Sequence, residues 1–562
     1  MTDISWGASR RGRIRLTAAL AVLAMWLTMA AAAANSATAA TETADLDSIE
    51  PHVSAVGFTH PGVFNSLDNL TATKKRVLAG DAPWSDSFEQ LAASAYLKRG
   101  SPDFSEFGSA TASDPTKQAC DPKRPGGCIS VCGSFNVDPN VGCGEQQADA
   151  RAVYAQSLMY WYTGDEQYAR RAVTILNSYS KHFKGSTGSN GPLMTAWTAG
   201  QMVRGAELLR YTYKPASSKH RFDVRGFSSM LRESFVPTLT GFDYGRYNGN
   251  WRLSAAEGLM SVGVFLDDRR LYDQAVEMWR ERTEAYIYLS TDGALPAAPA
   301  NDARQYQTPT ALRCQWLDGK AKACQSKPAA DPGVRFQNGQ AQEACRDFGH
   351  TAMGLGGIIN TAETAWIQGE DLYGEEQTRI ITGVLYAVQI SQAYKDHGWP
   401  ASFCGGADEL NPSLSLVELP VHTVYNAYAV RKGVQMPAIS IPGYPAPKLG
   451  SDPLADFIAA KGSARGYVGN VTAWDAVTHG LATATATPIQ APRTAVPAPA
   501  PAPDQADAGD AGPSVDRAPA MPLDVATLAF ALVGMVATII LLAWAAWRFA
   551  RRRRDRAGSA SR

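Results

Sequence analysis

The chain has 562 residues, equal numbers of basic (53) and acidic (53) side chains, and eight cysteines. This length allows one large domain or two smaller ones. A balanced charge argues against a nucleic-acid-binding protein, which concentrates positive charge to meet phosphates. The balance hides an uneven distribution, because both ends of the chain are basic.

The first forty residues have the pattern of an export signal. Four arginines between positions 10 and 15 precede an apolar run over 16–34, and small residues follow up to Ala40. A positive segment, an apolar segment and a small-residue cleavage site are typical of a secretory signal peptide. We therefore predict a signal peptide over 1–40.

The other end has the pattern of a membrane anchor. Residues 525–547 contain neither a charged residue nor a proline, and seven arginines follow over 548–562. At about 1.5 Å rise per residue, such a helix covers a bilayer core of roughly 30 Å. Basic residues stay on the cytoplasmic side. We predict a single-pass transmembrane helix over 523–547, a cytoplasmic tail over 548–562, and a large extracellular or periplasmic part before them.

A Pro/Ala-rich segment over 488–522 separates this helix from the rest. Alternating Pro and Ala favours an extended conformation over a packed core, so we predict a linker that acts as a stalk. The part of the chain between the two basic ends, 41–547, carries a net charge of about −9, because the ends contribute +3 and +6 to a total of zero. An acidic substrate would therefore need a few local cations in a cleft, because bulk charge would repel it.

All eight cysteines lie between positions 120 and 404. An even number in an exported chain favours disulfides, and the sequence leaves the pairing open. A local bridge such as Cys314 to Cys324 fits the spacing. A zinc site at Cys128 and Cys132 is a weak alternative, since a second Cys pair or a His pair is missing.

Helical periodicity dominates the domain. Gly164 and Asp165 are suited to end one helix and cap the next. Short connections favour antiparallel hairpins, so we predict an all-α fold in which paired helices form an incomplete toroid. Two long loops, about 100–147 and 291–345, are expected to form walls or lids over a cleft. The predicted helices cover 149–162, 165–182, 195–211, 222–238, 253–266, 269–289, 351–368 and 375–394.

Several short motifs carry a family resemblance over most of 58–480. The most specific block is Cys345-Arg346-Asp347-x-Gly349-His350-Thr351. In their order and spacing, the motifs resemble the alginate lyase superfamily of helical-toroid polysaccharide lyases, as a divergent member. The segments that carry the resemblance are 58–64, 83–84, 250–251, 263–269, 345–351 and 362–373.

The resemblance implies β-elimination at a uronic acid of an acidic, alginate-like polysaccharide, with no metal or cofactor. The C5 proton of a uronate is poorly acidic while the adjacent carboxylate is charged. Donors such as Asn or Arg must offset that charge. A His or Tyr then removes the proton, and an acid protonates the departing O4.

We assign the carboxylate clamp to Asn250, the base or second clamp to His350, and bidentate carboxylate binding to Arg346. Each residue has a plain structural alternative. Asn250 could cap a helix, His350 could be a satisfied histidine at a helix start, and Arg346 could pair with Asp347 or Glu343.

The chain also departs from the family pattern. Classical bacterial alginate lyases carry a His directly after the clamp Asn, where this chain has Trp251. They have a catalytic Tyr just before the position of His350, where this chain has Gly349. A Tyr from elsewhere must therefore protonate O4, and Tyr306 and Tyr247 are the candidates.

Three further aromatic residues are predicted to bind substrate by stacking on sugar rings, namely Trp251, Trp197 and Tyr425. Core packing is the plain alternative for each, because helical folds bury large aromatics. Tyr425 lies in a segment, 424–428, that resembles a family motif. For the single histidine His60 we predict a structural role.

Two other classes of function stay open. A non-catalytic carbohydrate-binding or envelope protein could keep the fold after losing the usual His and Tyr. A glycoside hydrolase would need paired carboxylates, for which Asp347 and Glu363 are available. The sequence favours a membrane-tethered extracytoplasmic polysaccharide lyase.

Overall fold

The structure, a computed structural model, describes residues 46–123, 127–134, 138–300, 304–400, 403–405, 415–448, 450–461 and 469–480. All of them belong to the first of two compact units, Met1–Val496. The predicted signal peptide, linker, membrane helix and basic tail lie outside the described residues. Among the described helices, none is both long and apolar enough to cross a bilayer.

Most of the described chain is helical, which confirms the helical class. Two π-helical turns, Leu231–Phe235 and Asn426–Arg431, continue α6 and α15. The α-helices are α1 (Leu67–Ala79), α2 (Trp84–Ala92), α3 (Cys143–Thr163), α4 (Glu166–His182), α5 (Gly191–Thr212), α6 (Val224–Met230), α7 (Val236–Gly241), α8 (Gly249–Phe265), α9 (Arg269–Glu284), α10 (Pro309–Trp316), α11 (Lys322–Gln325), α12 (Phe348–Ile367), α13 (Leu372–Glu375), α14 (Gln377–His397), α15 (Val421–Tyr425), α16 (Pro453–Lys461) and α17 (Asp475–His479). Short 3-10 helices cover Leu46–Ser48, Ala95–Lys98, Phe104–Glu106, Ser218–His220, Tyr244–Arg246, Ser290–Asp292, Arg304–Tyr306 and Phe403–Gly405.

A small sheet corrects the all-α prediction. One part of the predicted loop at 100–147 forms strands, and the longest of them, β4, pairs antiparallel with β3 and β5 and parallel with β6. This sheet is hard to predict from the sequence, because most of its strands are too short to show alternation. The strands are β1 (His52–Val53), β2 (Thr59–His60), β3 (Gly108–Ser109), β4 (Cys128–Ser134), β5 (Asp138–Val141) and β6 (Phe183–Thr187), and β1 pairs with β2.

Four long helices, α3, α5, α8 and α12, pack side by side as an inner layer. Nearly every residue along α3 and α5 is buried, so these helices have no polar face. By contrast, α4 and α9 bury one stripe and expose the other side. This difference identifies α4 and α9 as outer helices that cover the inner layer.

The inner helices run parallel to one another. Between α3 and α5, Gln146 contacts Thr198 and Tyr160 contacts the backbone of Thr212, so the contacts advance together along both helices. Between α5 and α8, hydrogen bonds join Arg204 to Glu257, and further on Arg210 joins the α8 C-terminus. As a result, the N-termini of α5 and α8 lie at one end of the layer, which we call the N-terminal face.

Helix α12 continues this arrangement. A side chain at Gly357 would meet the Leu253 backbone of α8 at 2.9 Å, and the first turns of both helices are bridged by one residue, Tyr286. The first turn of α12 therefore also lies on the N-terminal face. The predicted closure of the hairpins into a toroid remains a prediction.

Four disulfides link all eight cysteines. The pair Cys314–Cys324 forms as the spacing suggested. Cys128 and Cys132 belong to different bridges, which rules out the weak zinc alternative at that pair. The bridges are Cys120–Cys128, Cys132–Cys143, Cys314–Cys324 and Cys345–Cys404.

His60 fastens the N-terminal segment to the inner helices. Its Nδ1 lies 2.6 Å from Glu207 of α5, and its Nε2 lies 3.0 Å from Asp267, just after α8. The ring stacks on Tyr211 at a centroid distance of 4.8 Å and is fully buried. These contacts give His60 a structural role at the end of the layer opposite the N-terminal face.

This site predicts a pH-dependent stability. Burial opposes the charged imidazolium, but the Glu207 and Asp267 carboxylates raise the pKa of His60 above its ordinary 6.5. The stabilisation is therefore complete below pH 6.5 and is lost as pH rises through the raised pKa. We expect His60→Gln to lower the free energy of unfolding by about 3 kcal/mol at pH 6 and by clearly less at pH 9. Denaturant unfolding at both pH values measures this, and an equal loss at both would contradict it.

Candidate active site

The turn before α12 places two functional groups on the N-terminal face. The backbone amides of Arg346 and Asp347 donate to the Glu343 carbonyl at 2.9 and 3.1 Å, which closes the turn. Asp347 caps α12, since its Oδ1 accepts from the His350 amide at 2.8 Å. Its Oδ2 lies 2.7 Å from His350 Nδ1. One carboxylate thus fixes both the backbone and the ring of His350.

This dyad has the geometry of a general base. The His350 side chain is 23% exposed, and no described residue bonds its Nε2. Burial acts to raise the pKa of Asp347, but the hydrogen bond and charge of His350 lower it below the ordinary value. An ionised Asp347 favours the tautomer with the proton on Nδ1, so the Nε2 lone pair is left to accept a proton.

The contacts of Asn250 differ from both roles that the sequence suggested, which are helix capping and clamping of a substrate carboxylate. It is the second residue of α8, and Asn248 occupies the N-cap position, so the capping alternative is wrong. Its Nδ2 lies 2.8 Å from both carboxylate oxygens of Glu343, and the residue is 1% exposed. The amide that was predicted to clamp a substrate carboxylate therefore already binds a carboxylate of the chain.

Glu343 is the residue whose importance the sequence analysis missed. From the sequence, Glu343 is expected only as an ion-pair partner of Arg346, and that ion pair is present at 3.2 Å. The same carboxylate accepts a hydrogen bond from the Tyr286 hydroxyl at 3.1 Å. The Arg346 side chain is 22% exposed, so part of this side chain also reaches the surface of the face.

Tyr286 joins the first turns of α8 and α12. Its ring passes between Gly249 and Gly354, where a Cβ on either glycine would come within 2.1 Å of the ring. Burial, together with the Glu343 charge, raises the pKa of Tyr286 well above 10, so its hydroxyl stays protonated. That hydroxyl also lies 3.1 Å from the carbonyl oxygen of His350.

A stack of three aromatic rings, Phe242, Tyr247 and Trp251, lies beside α8. Trp251 and Tyr247 are nearly parallel, with centroids 4.2 Å apart, and Phe242 lies 6.2 Å from Trp251. Tyr247 is 40% exposed. Trp251 and Met353, which follows His350 by three residues, both pack on the cluster that contains Trp197. We call the three stacked rings the aromatic platform.

The other residues predicted to be catalytic or to bind substrate, Tyr306, Trp197 and Tyr425, are less accessible to a substrate. Tyr306 is buried, and its hydroxyl donates to the Tyr247 carbonyl at 3.0 Å, which argues against a role as the acid. Trp197 is buried among apolar side chains. Tyr425 lies on α15 with its hydroxyl 3.2 Å from Asp452, apart from the residues around His350.

The carboxylate pair considered for glycoside hydrolysis is separated. Asp347 caps α12 and Glu363 lies 16 residues further along it, or about 24 Å at 1.5 Å per residue. Glycosidase carboxylates lie roughly 5 to 9.5 Å apart. Glu363 is also buried, and although burial opposes its charge, Arg431 lowers its pKa to about 2. This pair cannot flank a glycosidic bond.

A surface cavity of about 370 Å³ lies away from these groups. Its lining includes Arg269 and Arg280 of α9 and Glu370 beyond the C-terminus of α12. Because His350 belongs to the first turn of α12, the cavity and the dyad are at opposite ends of that helix. We place the candidate active site at the N-terminal face, where the dyad lies, and not at this cavity.

Comparison with known families agrees with the motifs. Residues 109–309 match the family model described as Alginate lyase. The chain carries an alginate lyase family segment. This confirms the resemblance identified from the sequence as that of a divergent relative. Among curated proteins, none matches the chain.

Solved structures with similarity to the chain are also alginate lyases. One from Bacteroides ovatus is 14% identical, with 65% of this chain and 92% of that one covered and a TM-score of 0.37. Alginate lyase A1-III from Sphingomonas species A1 is 12% identical, with 68% and 95% covered and a TM-score of 0.37. A variant of A1-III complexed with tetrasaccharide is 14% identical, with 59% and 79% covered and a TM-score of 0.35. Roles for residues of this chain are therefore argued from its own contacts.

The bridge Cys345–Cys404 should hold the turn that carries the dyad. It closes a loop of 59 residues, whereas Cys314–Cys324 closes one of 10. We expect replacing both Cys345 and Cys404 by Ala to lower the free energy of unfolding by about 4 kcal/mol, against about 3 kcal/mol for the Cys314 and Cys324 double variant. Hydrogen exchange should show lost protection over 343–351 only in the first variant. Equal protection of that turn in both would contradict the assignment.

Proposed function

We propose that the protein is a polysaccharide lyase that cleaves a uronic-acid-containing, alginate-like polymer by β-elimination. The observation that carries the proposal is the His350–Asp347 dyad, held on the N-terminal face with Nε2 directed away from its carboxylate partner. The alginate lyase family segment supports the same class of reaction. The hairpins are proposed to form the incomplete toroid typical of that family.

The reaction uses His350 as the base. Its Nε2 takes the C5 proton of a uronate, and the C5–H electron pair forms the C4–C5 double bond as the C4–O4 bond breaks. The departing O4 takes a proton from Tyr247, which is the more exposed of the two candidate tyrosines. The product is an unsaturated uronate conjugated to its carboxylate, and no net oxidation occurs.

The substrate carboxylate needs positive partners while the C5 proton leaves. Arg346 lies four residues before His350, and its side chain is 22% exposed. The N-termini of α5, α8 and α12 point to the same face, and their dipoles favour an anion there by about 0.3 to 1 kcal/mol each. Asn250 is left out of this role because it binds Glu343.

The aromatic platform is proposed to support a sugar ring. Stacking on the exposed Tyr247 gives contact area at low cost in side-chain entropy, and Trp251 behind it keeps the ring in place. This position lets Tyr247 contact the substrate as well as donate the proton. Trp197 supports Trp251 from below and is not expected to meet the sugar itself.

We expect the domain to work outside the cytoplasm, tethered to the membrane by the helix predicted over 523–547. Four disulfides agree with an oxidising compartment. Protease added to intact cells or spheroplasts should remove the domain and leave a small membrane-bound fragment. Full protection of the chain, or its release by a salt wash alone, would contradict the tether.

The rival is a carbohydrate-binding protein on the same fold that has lost the chemistry. It is favoured by Trp251 and Gly349, which replace the usual catalytic residues. The rival gives no reason for Asp347 to orient the ring of a partly exposed His350. The two candidates differ in one observable, the formation of an unsaturated product.

The decisive variant is Asp347→Asn. Asparagine still caps a helix well, so the fold should be retained. Its amide would donate to Nδ1 and move the histidine proton to Nε2, so the base would be lost. We expect kcat to fall on the order of 10⁴-fold, as at other sites where the tautomer is inverted. The assay is ultraviolet absorbance of the product on a panel of uronate polymers.

Matched variants complete that assay. His350→Ala should abolish elimination but leave binding of the polymer intact. Tyr247→Phe should lower kcat strongly, whereas Tyr306→Phe should act mainly on stability because Tyr306 is buried. If the folded wild-type protein binds a uronate polymer but yields no unsaturated product, the rival function holds and the catalytic roles are withdrawn.

A further inference from the structure

The carboxylate of Glu343 is surrounded by donors from three separate parts of the chain. Asn250 contributes its Nδ2, 2.8 Å from each oxygen, and its backbone amide at 3.3 Å. Tyr286 contributes its hydroxyl at 3.1 Å, and Arg346 contributes Nη1 at 3.2 Å. The Glu343 side chain is 1% exposed. These donors form a pocket for one carboxylate, and the chain fills it with its own.

The chemistry of the pocket requires a carboxylate. Asn250 Nδ2 carries two N–H groups and meets both oxygens, so both must be acceptors. A glutamine at 343 would turn one acceptor into a second NH₂ facing that of Asn250. A shorter side chain would deprive the buried Asn250 amide of this acceptor and would remove the Glu343 contacts of Tyr286 and Arg346, which is costly.

The pocket also sets the position of the base. The Tyr286 hydroxyl lies 3.1 Å from both a Glu343 carboxylate oxygen and the carbonyl oxygen of His350, so its single proton is shared between these two acceptors. The ring of Tyr286 is confined between Gly249 and Gly354, so it cannot shift without moving α8 against α12. Glu343 also accepts from Arg346, within the turn that leads to the dyad. The Glu343 carboxylate is therefore connected to His350 both through Tyr286 and through Arg346.

We infer that Glu343 is a positioning residue, which occupies the carboxylate pocket of Asn250, Tyr286 and Arg346 and thereby holds His350 in place. The inference rests on the proposed lyase function for its kinetic consequence, and on the contacts alone for the pocket itself. It reassigns Asn250, whose amide holds the chain's own carboxylate, and it predicts that a free small carboxylate enters once Glu343 is shortened.

The test uses the full chain with Glu343→Ala, with and without sodium formate, and with sodium chloride at equal ionic strength. We expect kcat to fall at least 100-fold with KM within threefold of wild type, because the base is displaced while the sugar platform is intact. Formate should restore kcat at least tenfold and raise the Tm of this variant. Chloride should do neither, and formate should leave the wild type unchanged.

Glu343→Gln is the matched control. It fills the pocket but presents the wrong polarity, so it should lose activity as Glu343→Ala does and gain nothing from formate. Glu343→Asp keeps both acceptor oxygens and the charge on a side chain one methylene shorter, and should retain at least tenfold more kcat than Glu343→Gln. This comparison also tests the pocket if Glu343→Ala does not fold.

The outcomes separate the inference from the proposed function. If no variant and no wild-type sample forms product, the lyase proposal fails, while a formate-dependent rise in the Tm of Glu343→Ala still supports the pocket. If Glu343→Ala keeps kcat within threefold of wild type, the positioning role is overturned. If formate changes neither kcat nor Tm and Glu343→Asp is no better than Glu343→Gln, the pocket is overturned as well.

Discussion

The parallel packing of the inner helices is the constraint on which the site depends. Because α5, α8 and α12 run the same way, their first turns meet at one face, and residues that are far apart in the sequence become neighbours there. Asn250 and Glu343 are 93 residues apart and share three hydrogen bonds. The face also collects the positive ends of three helix dipoles, which suits an anionic ligand in a part of the chain, 41–547, whose net charge of about −9 would otherwise repel one.

Two carboxylates, those of Asp347 and Glu343, stabilise the N-terminal face in different ways. Asp347 is partly exposed and acts on His350 directly, as cap and as ring partner. Glu343 is buried and acts through Tyr286 and Arg346, so a substitution of Glu343 is expected to displace the same histidine, His350. If His350 is the base, as proposed, the separate control of its ring and its backbone accounts for a base outside the positions that Trp251 and Gly349 occupy.

Local features of the sequence predicted much of the fold. Gly164 ends α3 in a left-handed conformation, and Asp165 caps α4 through the Gln167 amide, as expected from their residue types. The Arg346 to His350 block was identified because its residues are close in the chain. The sequence did not predict the sheet, because β3 and its neighbours are stabilised by pairing with other strands and by disulfides. A local sequence pattern does not show such contacts.

The role of Asn250 could not be predicted for the same reason. Its residue type is equally suited to capping, to clamping a substrate and to binding an internal carboxylate. The choice depends on Glu343, which the tertiary fold brings in from the turn before α12. The choice between Tyr247 and Tyr306 likewise depends on burial, which only the packing of the second long loop decides.

A crystal structure of the His350→Ala variant with a uronate oligosaccharide tests the account most directly. We predict a uronate stacked on Tyr247, with its C5 about 3 to 3.5 Å from the position of the missing Nε2 and its carboxylate near Arg346. Glu343 should remain bound to Asn250. An oligosaccharide bound away from this face, or one whose carboxylate displaces Glu343 from Asn250, would contradict the account.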